Sequence, residues 1–135
     1  MVKGKKPKKE KKKTGASIGY DNCLKYEILM NKEGFITDVR PIPARWTTNK
    51  DYYNQFDIVG MRSYEICWVQ VKTNQPKHAI DQMVSWIKKN CDYLPTNAKF
   101  RLVTLKDATK TLPKRWIIVK VSRHGEIEKK EEIVC

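Results

Sequence analysis

Over residues 17–32 the apolar positions return every three to four residues. Tyr20, Leu24 and Ile28 mark a stripe that also takes in Glu27 and Asn31, with Cys23 and Met30 beside it. That spacing predicts a helix, and Gly34 is placed to stop it just past its last turn. Residues 35–39 read as a short strand, and Pro41 and Pro43 force an extended segment after it. Residues 44–55 form a long polar and aromatic loop. Two apolar strands joined by a tight turn follow over residues 56–73. With the turn centred on Ser63 and Tyr64, Arg62 pairs with Glu65 and Met61 with Ile66. After Pro76 a second helix is predicted over residues 78–94, with Ile80, Met83, Val84, Ile87, Cys91 and Leu94 as its apolar stripe. Residues 99–105 and 115–121 read as strands. Gly125 turns into a last, highly charged strand over residues 126–134, suited to a sheet edge. The order α-β-β-β-α-β-β, with one further β, predicts an α/β fold: a mixed β-sheet flanked by helices.

Composition adds a partner class. The chain has 135 residues and a net charge of +13, of which residues 1–14 supply +7 through eight Lys against one Glu. That Lys-rich tail has nothing to bury and is expected to be disordered, which leaves residues 15–135 as a single domain. A basic body with a more basic tail points to a polyanion, most simply nucleic acid. A solvated face with a solubility tail accounts for charge alone as well. No apolar run is long enough to span a membrane, so a soluble, cytoplasmic protein is expected. Cys23, Cys67, Cys91 and Cys135 show no C-x-x-C spacing, and His78 and His124 stand apart from them, so neither a zinc site nor a disulfide framework is indicated.

The candidate chemistry lies at the open end of the hairpin. Counting outward from the turn puts Asp57 opposite Gln70, with Lys72 two residues on and on the same face. A carboxylate, an amide oxygen and an ammonium so grouped can hold a divalent cation and oppose developing negative charge. Asp57, Gln70 and the carbonyl of Val71 are hard oxygen ligands suited to Mg²⁺ or Mn²⁺. Glu27, arriving from the first helix, could add a second carboxylate, and Lys72 could steady a phosphoryl transition state. Taken singly, each residue has a plainer reading. Asp57 could cap a backbone amide at a strand start, Gln70 and Lys72 could face solvent, and Glu27 could sit at the helix boundary. In the loop, Arg45, Lys50, Trp46, Tyr52 and Tyr53 suit backbone contact and base stacking, or cover for the core. Lys77 extends the basic surface.

Asp57, Gln70-Val71-Lys72 and the upstream helical Glu27 resemble the PD-(D/E)XK nuclease superfamily, nearest to the archaeal Holliday junction resolvases and related small endonucleases. The likeness runs over about residues 17–105. It takes in Gly34-Phe35 after the helix, Arg40, the run Phe56-Asp57-Ile58-Val59, and Val69-Gln70-Val71-Lys72-Thr73. It implies a restriction-endonuclease-like core and a metal-dependent DNA endonuclease, with branched DNA as a candidate substrate and a homodimer as a candidate assembly. It further implies that Glu27, Asp57, Gln70 and Lys72 are catalytic, that Thr73 lies near the DNA, and that Gln82 on the second helix touches the site or the DNA. Gln70 departs from the superfamily's usual Asp or Glu and removes one negative charge. The alternative is therefore a non-catalytic nucleic-acid-binding protein on the same fold. A third reading is a basic structural or ribosome-associated protein in which the hairpin is only core.

Overall fold

The computed structural model describes residues 15–40, 52, 53, 55–74 and 78–135. Helix α1 (Gly15–Lys32) is closed off by Gly34, whose φ of 95° lets the Phe35 amide donate back to the Met30 carbonyl at 3.1 Å. Strands β1 (Ile36–Val39), β2 (Ile58–Arg62) and β3 (Glu65–Thr73) follow, then helix α2 (Ala79–Asn90) and a 3₁₀ turn at Cys91–Tyr93. Strands β4 (Ala98–Lys106), β5 (Arg115–Val121) and β6 (Ile127–Val134) complete one sheet in the order β1-β2-β3-β4-β5-β6. Among the described residues only the β3–β4 pair is parallel, and α2 is its crossover. The expected α/β class, element order and mixed sheet are all present. The second helix is shorter than expected, because its last turn tightens into the 3₁₀ turn.

The two helices cover opposite faces, as strand alternation shows. Cys23, Tyr26 and Met30 of α1 pack with Ile58, Cys67, Val69, Val103, Leu105, Trp116 and Ile118. Ala79, Met83 and Ile87 of α2 pack with Phe56, Phe100, Leu102 and Val121. Odd-numbered residues of β3 and β4 thus face α1, and even-numbered ones face α2.

The α1 stripe corrects the expectation from spacing. Leu24 and Ile28 are 36% and 56% exposed, while Asn22, Cys23, Tyr26 and Met30 are buried. The sheet decides the phase. Gly60 leaves room for Met30, since a Cβ there would stand 2.6 Å from the Met30 methyl carbon. Arg101, 4% exposed on the α1 side of β4, claims Tyr26 by donating to its hydroxyl at 3.0 Å and closes a bidentate pair with Glu33. A buried guanidinium needs those acceptors, so α1 must turn Tyr26 inward.

Candidate functional site

The hairpin register is the one that counting from the turn anticipates. Arg62 pairs with Glu65 and Ile58 with Val69, around a turn at Ser63 and Tyr64 in which Tyr64 takes a φ of 61°. One step further the ladder changes. The Asp57 amide donates to the Val69 carbonyl at 2.8 Å, and the chain bends away. The side chain takes over where backbone pairing stops. Asp57 Oδ2 accepts from the Val71 amide at 2.8 Å, and Oδ1 accepts from Arg40 Nε at 2.9 Å. Asp57 is 4% exposed, and its carboxylate does serve as the amide cap that the plainer reading describes. Each such charge-assisted bond is worth about 1.5–3 kcal/mol.

Asp57 therefore lies against β3 beside Gln70, whose side chain faces α2. Gln70 is 4% exposed, and among the described residues its Oε1 has no hydrogen-bond partner. Leaving a buried amide oxygen unpaired costs about 1–3 kcal/mol. Lys72 continues the same face, half-buried, next to Thr104 of β4. Among the described residues the Lys72 side chain has no hydrogen bond or ion pair. Val71 points the other way, onto the α1-side core, and its amide belongs to Asp57. The group stands at the carboxyl ends of the parallel β3–β4 pair, where open α/β sheets present ligand sites.

Glu27 is not brought to this group. It accepts from Thr37 Oγ1 at 2.7 Å on the α1 side, and Thr37 pairs with Gly60, three residues along β2 from Asp57. Gln70 and Lys72 face the opposite side of the sheet. An α1 residue that does reach this end is Asn22, 4% exposed, whose amide donates to Thr73 Oγ1 at 2.8 Å. Sequence reasoning missed Asn22 because it read the helix one step out of phase. Taking Tyr26 and Met30 as the buried stripe makes Asn22 its polar member one turn earlier.

The expected nucleic-acid contacts divide. Tyr52 is tied down: it pairs with Phe56 through backbone bonds of 2.7 and 2.9 Å, and its hydroxyl donates to Asp38. Burial, then the neighbouring Asp38 carboxylate, pushes that hydroxyl up to about 12. Gln82 is exposed on α2, in a shallow concavity with Gln55, Ser85, Trp86 and Lys89. Thr73 is exposed at the end of β3. Arg45, Lys50 and Lys77 lie outside the described residues.

Among the described residues no cluster of three His, Cys, Asp or Glu side chains is poised to hold a metal. Among the described residues the donors that fit a cation are two hard oxygens of unequal charge, the Asp57 carboxylate and the unpaired Gln70 amide oxygen. Mg²⁺ is commonly held by one or two protein oxygens, with water and phosphate completing its shell. No protein-family model matches this sequence, and no curated protein matches it either.

Proposed function

We propose that this chain hydrolyses DNA phosphodiester bonds with a divalent cation, Mg²⁺ or Mn²⁺, held by Asp57 and Gln70 on a restriction-endonuclease-like core. The observation that carries the reading is Gln70 Oε1, buried beside a buried carboxylate and without a donor among the described residues. A protein tolerates such an atom where a ligand satisfies it. When bound, the cation polarises a phosphoryl oxygen and makes its water nucleophilic. The chain supplies the rest. The Val71 amide and Arg40 hold the Asp57 carboxylate in place. The Lys72 ammonium, uncommitted among the described residues, neutralises charge that grows on the phosphoryl oxygens. Glu27 has no part in this version of the site. Branched DNA and a homodimer are the finer expectations that go with it.

A second reading rests on the Asp57 contacts. Both carboxylate oxygens already have partners, and Arg40 offsets the charge that a cation would need. On that reading the same surface binds nucleic acid without cutting it.

Gln70→Glu separates the two. Without a cation, the variant buries an unpaired carboxylate and loses at least about 1 kcal/mol of stability. If the site holds metal, Mg²⁺ or Mn²⁺ restores the melting temperature, and calorimetry finds tighter cation binding than in the wild type. A cation that shifts neither protein's melting point, together with equal DNA cleavage by wild type and Lys72→Ala, leaves only the binding protein.

A further inference from the structure

Four aromatic rings meet beside this site without completing the core. Tyr53, Trp68, Trp86 and Tyr93, with Asn90 and Pro95, line a cavity of about 300 Å³ on the α2 side. Tyr53 and Tyr93 are 66% and 86% exposed, so the hydrophobic effect gains little from their position. Tyr53 nonetheless stands edge-on to Trp68 at 5.5 Å and tilted to Trp86 at 5.8 Å, on a backbone held at a φ of 54°. For a non-glycine residue that left-handed conformation is strained unless its surroundings require it.

The wall is built, not loose. Arg123 donates to the carbonyls of Cys91, Leu94 and Pro95, and so fixes the turn that carries Tyr93. The Asn90 amide donates to the Trp86 carbonyl at 2.8 Å. Phe56 packs against Trp68 and Trp86 from beneath. Among the described residues, neither indole N–H has a protein acceptor.

We infer that this cavity is a stacking pocket for one unpaired nucleobase of a bound nucleic acid strand. The volume lies at the small end of ligand sites, right for a single ring system and too small for a helix or strand of a protein partner. The lining has aromatic faces, an amide and no carboxylate, although Asp92 follows Cys91 in the chain. Arg123 at the wall and Lys89 on α2 give the surroundings the sign that a phosphate backbone requires, in a chain of net charge +13. Position supplies the last element. Trp68 and Gln70 share one face of β3 two residues apart, roughly 7 Å along the strand. Phe56 directly precedes Asp57. A strand with a phosphate at Asp57 and Lys72 therefore brings a neighbouring base over these rings. That placement, though not the pocket, rests on the phosphodiester reading.

Tryptophan fluorescence of the full chain in chelator tests the inference. The titrants are an eight-residue oligothymidylate, an abasic deoxyribose-phosphate oligomer of the same length, and a proline-rich peptide. The proteins are wild type, Tyr53→Ala/Tyr93→Ala and Lys72→Ala; both tyrosines are exposed enough for truncation to spare the fold. Oligothymidylate is expected to quench the wild type and to bind the double tyrosine variant at least about fivefold more weakly, the low end for loss of base stacking. The abasic oligomer is expected to bind both alike. Equal binding of the two oligomers to the wild type, unchanged affinity in the tyrosine variant, or stronger quenching by the peptide overturns the pocket. The two proposals fail separately. Base preference without cleavage removes the enzyme and keeps the pocket, and cleavage lost in Lys72→Ala without any base preference does the reverse.

Discussion

Arg101 shows how much one residue can organise. Its guanidinium is nearly sealed from water, so Tyr26, Glu33 and the Phe35 ring must gather around it. The same dry setting governs two neighbours. Burial pushes the Tyr26 phenol from 10.0 to about 12, against the pull of Arg101. Burial likewise pushes the Cys67 thiol from 9.0 to about 12. Both groups hold their protons in the folded chain at a pH where the unfolded chain releases them. Between pH 9 and 12 the folded state therefore binds more protons, and stability falls as the pH rises through that window. Stability is expected to show no such loss below pH 9 and to decline steadily above it, as read from urea melts. Tyr26→Phe should begin less stable, without the Arg101 bond, but should lose less between pH 10 and 12. A Tyr26→Phe profile as steep as wild type would show that the phenol does not drive the loss.

At the scale of elements, α1 carries the clearest test. Tyr26 is fully buried, and Tyr26→Ala should cost about 3 kcal/mol or more. Leu24→Lys and Ile28→Lys, on the exposed flank, should each stay within about 0.5 kcal/mol. Chemical denaturation giving Ile28→Lys the larger loss would restore the phase that spacing alone suggests. That phase was not legible because Leu24 and Ile28 are more apolar than the Asn22, Cys23 and Tyr26 that replace them. Apolar content marks a stripe only where the opposing surface is apolar too, and here that surface contains Arg101 and Thr73. The hairpin was legible for the opposite reason. Its turn is short, an apolar run flanks it on either side, and a slip by one residue would reverse both faces. Counting from Ser63 and Tyr64 therefore gave the register correctly as far as Ile58 and Val69. It did not foresee the bend at Asp57, where a side chain replaces the backbone partner.

For the whole molecule, charge is the dominant quantity. Residues 1–14 hold more than half of the +13. Removing them should weaken DNA binding and flatten the dependence of log K on log salt by roughly 0.9 for each phosphate that the tail neutralises. An unchanged slope would assign the tail another role. Among the described residues no helix is long and apolar enough to cross a membrane. The sequence by itself determined the element order, the hairpin register, the edge character of β6 and the basic charge. These follow from local periodicity, turn chemistry and composition. Only the tertiary structure decided which face of α1 is buried, that Glu27 serves Thr37 while Asn22 reaches Thr73, and that Tyr53, Trp68, Trp86 and Tyr93 share one pocket. Those outcomes depend on packing between segments far apart in the chain. A buried guanidinium, a glycine opposite a methionine and a strand that begins one residue after Asp57 set them, and none is a property of its own segment.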